Sequence, residues 1–400
     1  MNENVCILPW ISIETTPLGQ MRVCCLSNEN IKDSDGNDLL IEDTILSDAF
    51  NSEYMINLRK SFINGEKPES CNRCWSEEAS GRTSKRQNSW YRLNKLVQHI
   101  DFTNPESGDL IFLDLKLGNI CNLKCRICGS FSSSKWAQEE IEINKSYQKE
   151  YHRPANDFLK QGQWPRKVDA FWSDLNNILP HIRYLEFTGG EPFLITEHFD
   201  FLQAAVDGGY ASNIEIHYNT NGTQFPQNAI EIWKHFKIVE IALSIDDMGQ
   251  RFEYQRHGAK WDIVQTNLKK FRELRDNNTN IVLQLCLTVN ALNFYYIDEI
   301  LQWVPHQMFN YHYLNVVHDP PNFCVKNLND TAKTMITNKL GAATIPQTFI
   351  DEITNLVKFM NSGKGSDCKE LVRVLQDSDT FRKQHLKDHH PEIAAAIGYE

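Results

Sequence analysis

Residues 109–320 predict an α/β fold with a mostly parallel sheet, and two observations carry that prediction. Short apolar, β-branched runs alternate with stretches of helical period, the pattern of successive βαβ units. Polar or glycine-rich residues follow each of six such runs, and parallel α/β folds bind ligands beyond the carboxyl ends of their strands. The candidate strands are 111–117, 184–187, 214–218, 238–245, 281–289 and 311–317. Helices are expected over 197–206, 228–236, 261–275 and 296–304. Six such units suit a partial, TIM-like (β/α)6 barrel.

The segments around the barrel differ in kind. Residues 130–180, with Trp136, Trp164 and Trp172, are longer than an ordinary crossover and read as an insertion with room for a substrate lid. Residues 321–400 read as a helical extension, amphipathic over 349–359 and 370–375. Residues 1–85 read as a small loop-rich module. Ile11-Ser-Ile-Glu-Thr15 and Met21-Arg-Val-Cys-Cys25 form the arms of a hairpin around Pro17-Leu-Gly19, and helical spacing follows over 47–64. A module this small buries little apolar surface, and a metal centre would compensate.

Composition narrows the function classes. The 400 residues are 41% hydrophobic and 23% charged, ordinary for a globular protein, and net charge is −11. Nothing there favours nucleic acid or an anionic membrane as a partner. No apolar run approaches a membrane span, and the N-terminus lacks the basic and apolar segments of a signal peptide. Eleven cysteines without an export signal suggest the reducing cytoplasm, where thiols serve metals or catalysis rather than disulfides. Eight of them fall at or before Cys128, which places the cofactor chemistry early in the chain.

The strongest motif is Cys121-Asn-Leu-Lys-Cys125-Arg-Ile-Cys128, at the end of the first barrel strand. Iron–sulfur clusters are held by cysteine thiolates, normally four. Three ligands leave one metal corner open, as catalytic metal sites do for substrate. The rival reading is three core thiols on one helix face, but a strand-to-loop junction between Gly118 and Gly129 is poor helix territory. In the first module, Cys6, one of Cys24 or Cys25, Cys71 and Cys74 make a four-thiolate set, which structural zinc would also suit.

Further strand ends add polar groups. The second ends in Thr188-Gly189-Gly190-Glu191-Pro192, the third in Asn219-Thr-Asn221-Gly222, the fourth in Ser244-Ile-Asp246-Asp247 and the fifth in Thr288-Val-Asn290. Gly189 and Gly190 allow close backbone approach to an ammonium group, beside which Glu191 adds negative charge. Ser244 and Asp246 suit ribose hydroxyls, and Arg256 in Tyr254-Gln-Arg-His-Gly258 suits a carboxylate. The bland alternatives are a helix cap for Asp246 and a surface ion pair for Arg256.

The triple-cysteine motif with Gly189-Gly-Glu-Pro192 resembles the radical S-adenosylmethionine (SAM) superfamily along roughly 110–320. Cys6-Ile-Leu-Pro-Trp10, Gly19, Cys24-Cys25 and Cys71-Asn-Arg-Cys74-Trp75 resemble its SPASM or twitch auxiliary-cluster module. The resemblance implies that Cys121, Cys125 and Cys128 ligate a [4Fe–4S] cluster whose free iron is chelated by SAM. It implies that Gly189, Gly190 and Glu191 meet the methionyl amino group, with Asn221, Ser244, Asp246, Arg256 and Asn290 on the rest of the cofactor. Ile127 stands where an aromatic is usual, leaving an apolar adenine contact. The implied activity is reductive cleavage of SAM to a 5′-deoxyadenosyl radical, which abstracts a hydrogen atom from substrate. One auxiliary [4Fe–4S] cluster on Cys6, Cys24, Cys71 and Cys74 accepts an electron. Flavodoxin or ferredoxin is the implied donor, and the substrate is a peptide or protein side chain, or a sugar or aminocyclitol. Here the auxiliary module precedes the barrel, where the family usually has it after, and its cysteines suffice for one cluster. No acid–base or radical-handling residue is assigned. The reading from a different class is a non-catalytic metal-binding interaction protein with a zinc-stabilised N-terminal module.

Overall fold

The computed structural model describes residues 4–79, 81–146, 159, 161–162, 164, 168–304 and 308–400. Its strands are β1 (Ser12–Thr15), β2 (Met21–Arg22), β3 (Phe112–Lys116), β4 (Lys124–Cys125), β5 (Tyr184–Thr188), β6 (Glu215–Thr220), β7 (Ile238–Ser244), β8 (Arg256–His257), β9 (Ile281–Val289) and β10 (Tyr311–Val316). The chain divides into two compact units, one drawn from 1–120, 161–219 and 226–240, the other from 121–160, 220–225 and 241–400.

In the first unit β1 and β2 form the expected hairpin, and β1 also runs parallel to β3. β3 pairs in parallel with β5, and β5 with β6. Successive side chains of a strand point to opposite faces, so the register sorts two surfaces. Leu113, Leu115, Leu185, Phe187, Ile216 and Tyr218 share one face and are buried. Phe187 and Tyr218 stack at 5.1 Å, and the helix Glu197–Asp207 contributes His198 to the same aromatic cluster. Each such side chain adds roughly 1.5–3 kcal/mol on full burial.

The opposite face is charged. Glu14 is paired with Asp114, Asp114 with Glu186 and Glu186 with His217, which makes one transverse row of ionisable groups. Lys116 bonds Glu14, and Lys85 lies 3.5 Å from Asp114 and 3.6 Å from Glu186. Ser84 caps the Lys85–Leu93 helix in a reciprocal box with Gln87, and so fixes where Lys85 starts. Burial, and then the neighbouring Glu186, push Asp114 up to about 6.

In the second unit β9 and β10 are parallel, and β9 buries alternate residues from Ile281 to Val289. Trp261, which opens the helix Trp261–Asn277, packs on Phe252 and Trp303. After β10 come the helices Asp330–Ala342, Ile350–Asn361, Lys369–Arg382 and Pro391–Ile397.

The fold is the α/β class that the alternation predicts, with parallel pairing dominant in the pattern of a partial TIM-like barrel. The helix expected over 228–236 is shorter: a 3-10 turn at Gln227–Ala229 and one turn at Ile230–Trp233. In the insertion, Ser134–Ser146 and Asp169–Ile178 are helical. The rest of a lid at 130–180 falls largely on 147–158, 160, 163 and 165–167, outside the described residues. Among the described residues, no helix is long and apolar enough to cross a membrane.

Candidate functional site

The triple-cysteine loop lies in the second unit and is zipped to the segment that carries Arg256. β4 pairs antiparallel with β8, which sets Cys125 opposite Arg256 and Lys124 opposite His257. Arg126 N continues the ladder by donating to Gln255 O at 2.8 Å. From the other side Ser133 Oγ donates to Leu123 O and Trp136 Nε1 to Cys125 O. A loop held on both sides keeps its thiols in place without a metal.

Positive charge is gathered on those thiols. Arg256 Nη1 is 3.9 Å from Cys125 Sγ, while its Nη2 donates to Asp246 Oδ2 at 2.6 Å. Its Nε is buried and has no hydrogen-bond partner among the described residues. The Cys125 thiol is held below its ordinary value, first by the hydrogen bond from Cys128 and, against burial, by the Arg256 guanidinium. Cys128 moves the other way, chiefly because it shares its proton with Cys125. Three cysteines on one loop beside a buried, incompletely paired cation fit an anionic iron–sulfur cluster held by thiolates.

The remaining expected residues of this unit fall into two groups. Asn221 donates to Asn122 Oδ1 at 3.0 Å and reaches Cys121 Sγ at 3.8 Å, while Ile127 is half-buried within the loop. Ser244 closes β7 and is half-buried. Asp246 and Asn290 are turned to the frame. Asp246 accepts from Arg256 and from Thr288 N. Asn290, fully buried, donates to Gln255 Oε1 and accepts from Leu292 N.

Gly189, Gly190 and Glu191 lie in the first unit. Gly190 has φ +61°, and a Cβ there would sit 2.3 Å from Ile120 O. Gly189 has φ +77°, with Gly118 O 3.2 Å from where its Cβ would be. The pair is therefore required by backbone conformation and close approach together. Glu191 N donates to Ile120 O, and its carboxylate accepts from Phe193 N, which starts the short turn Pro192–Leu194.

The four-thiolate set of the first unit lines a single pocket. Cys6, Cys24, Cys71 and Cys74 share its walls with Leu8, Val23, Phe62, Trp75, Lys85 and Arg86. Cys25 does not line it: Lys85 Nζ donates to Cys25 Sγ at 3.0 Å. The chain turns here, with Ser27 N donating to Cys24 O, and the Cys24-Cys25 pair divides between pocket and ionic row. Burial pushes the Cys71 thiol up to about 11 and raises Cys6, Cys24 and Cys74 as well. Metal must therefore displace protons to bind there. Among the described residues, no three His, Cys, Asp or Glu side chains converge closely enough to hold a single metal ion.

Sequence reasoning missed several residues around these sites. Lys85 and Arg86 wall the four-cysteine pocket, and Arg126, Trp136, Asp379 and Arg382 surround the triple-cysteine loop. Only Arg126 left a local trace, as a basic residue between Cys125 and Cys128.

Residues 115–304 match the family model described as the Radical SAM superfamily. That segment is just under half of the chain. No curated protein matches. Among solved structures, native anSMEcpe with bound AdoMet is 16% identical with a TM-score of 0.40, over 64% of this chain and 62% of that one. SuiB from Streptococcus suis bound to precursor peptide SuiA is 14% identical with a TM-score of 0.35, over 91% and 71%. TYW1 with a lysine-pyruvate adduct is 12% identical with a TM-score of 0.28, over 64% and 72%. The chain thus spans about 62% of the length of the first of these.

Proposed function

We propose that the protein is a radical SAM enzyme that removes a hydrogen atom from a peptide or protein side chain, or from a sugar or aminocyclitol. The observation that carries this reading is the Cys121–Cys128 loop paired with Arg256, inside the segment that matches the superfamily. When bound, the cluster and SAM supply one-electron cleavage of the sulfonium, giving methionine and a 5′-deoxyadenosyl radical. The chain's own residues do the rest. Cys121, Cys125 and Cys128 hold the cluster, and Arg256 favours the Cys125 thiolate. Asn221, Ser244 and Ile127 keep the SAM-contact role that the resemblance implies, while Asp246 and Asn290 frame Arg256 and Gln255. Gly189, Gly190 and Glu191 keep the role that the resemblance implies, as the turn that receives the methionyl amino group.

In the same reading, 1–85 is an auxiliary module, 109–320 the radical SAM core and 321–400 a helical extension. Cys6, Cys24, Cys71 and Cys74 would hold a second [4Fe–4S] cluster, which would supply an electron acceptor. Four thiols lining one pocket suit an iron–sulfur cluster held by four thiolates. Flavodoxin or ferredoxin is the electron donor, and the compartment is the cytoplasm, where eleven free thiols persist.

The test is to incubate reduced, anaerobically reconstituted protein with SAM and assay 5′-deoxyadenosine. Cys125→Ala abolishes its release, and Cys74→Ala retains a measurable part. Unchanged release from Cys125→Ala overturns the assignment.

A further inference from the structure

The described residues after β10 lie outside the matched family segment, yet one of their helices reaches the triple-cysteine loop. Arg126, between Cys125 and Cys128, is 3% exposed. Its Nε donates to Tyr254 O and its Nη2 to Asp379 Oδ1 at 2.5 Å and to Gln384 Oε1 at 3.1 Å. Its guanidinium lies 3.6 Å from the centre of the Tyr254 ring. Asp379 is a hub: its Oδ2 also accepts from Tyr254 Oη, Tyr399 Oη and Leu386 N. One turn on, Arg382 donates to Glu139 Oε1 at 2.8 Å, and Glu139 also binds Lys124 of β4. Arg382 covers the Trp136 ring that bonds Cys125 O, and both its terminal nitrogens are buried without hydrogen-bond partners among the described residues.

We propose that the Lys369–Arg382 helix is a positioning element for the triple-cysteine loop, with Asp379 fixing Arg126 and Arg382 holding a buried positive charge beside Cys125. This rests on the radical SAM reading for the identity of the bound group, but the clamp itself is a property of the chain. Two buried charges on one helix are costly to keep in a core, and each is matched to the loop or to the helix that braces it. Outer partners of metal ligands fix their orientation, and losing them typically costs 10–100-fold in metal affinity. A fixed cation near an iron–sulfur cluster also favours the more negative, reduced form, so Arg382 raises the reduction potential.

The test uses the full chain and the variants Asp379→Asn, Arg382→Gln and Arg382→Lys, each read in two ways. Hydrogen exchange on metal-free protein should quicken at residues 122–128 in Asp379→Asn and stay unchanged along Trp261–Asn277, which excludes general unfolding. In reconstituted protein, Asp379→Asn should lose iron to a chelator at least about tenfold faster. Arg382→Gln should shift the cluster's potential negative, and Arg382→Lys should largely restore it. Parent-like exchange and iron loss in Asp379→Asn overturn the clamp, and a parent-like potential in Arg382→Gln overturns the charge. A parent chain that takes up no iron, with exchange still quickened in Asp379→Asn, overturns the radical SAM reading and leaves the clamp standing.

Discussion

Arg256 stands directly across the β4–β8 ladder from Cys125, and the same guanidinium that reaches the thiol is paired with Asp246. One cation thus faces both a buried carboxylate and the Cys125 sulfur. Breaking a buried pair leaves an uncompensated charge and costs about 3–5 kcal/mol. Arg256→Met is therefore expected to lower unfolding stability by about 3 kcal/mol in urea titrations. Adding Asp246→Asn should return a substantial part of that loss. No recovery in the double variant would mean that Arg256 acts through packing alone.

The adjacent thiols Cys24 and Cys25 should behave differently. Cys24 lines the pocket with Cys6, Cys71 and Cys74, whereas Cys25 meets Lys85. With both clusters loaded, iron analysis should give about eight irons per chain. Cys24→Ser is expected to lower this toward four, and Cys25→Ser to leave it unchanged. Equal losses would show that the two thiols share the role.

Gly190 is expected to tolerate no side chain. Alanine there would sit 2.3 Å from Ile120 O in a left-handed conformation, so backbone must move. Gly190→Ala should destabilise the protein by about 2 kcal/mol or more, seen as a lower melting temperature in calorimetry. An unchanged melting temperature would contradict the close approach.

His198 makes the first unit sensitive to acid. It is fully buried, and burial lowers its pKa to about 3. Below about pH 6.5 the unfolded chain binds a proton there that the folded chain does not. Stability is therefore complete above that pH and falls, from this group alone, by up to about 1.4 kcal/mol per pH unit toward pH 3. His198→Asn should flatten the slope of stability against pH between 6 and 4, relative to the parent. An identical slope would mean that His198 is accessible to solvent.

The six barrel strands were legible to within a residue or two because their apolar runs are bounded by glycine or polar residues. By contrast, β2 stops three residues short of the expected arm, and the two-residue β4 and β8 were not expected. β9 is found at its expected limits. The cysteines were legible as spacings, since short-range ligand patterns survive in one dimension. What stayed hidden depends on pairing between distant segments. The row Glu14, Asp114, Glu186 and His217 exists only through register, and each residue alone reads as an ordinary strand polar group. Asp379 lies 253 positions from Arg126, and no periodicity connects them. Asp246 and Arg256 were each legible as ligand-binding groups, but their bond to one another was not.

The parallel pairing of β1 with β3 also sets an order of events during synthesis. Ser12 must wait for Phe112, about a hundred residues later, before its strand has its parallel neighbour. At translation rates of about 5–20 residues per second, that edge stays open for roughly 5–20 seconds on the ribosome. Cys6 leaves the ribosome just before that interval, and Cys24, Cys71 and Cys74 leave within it. A nascent chain with an open edge and four unpaired thiols is a target for oxidation and misassociation, which makes cellular yield dependent on how soon those thiols are occupied.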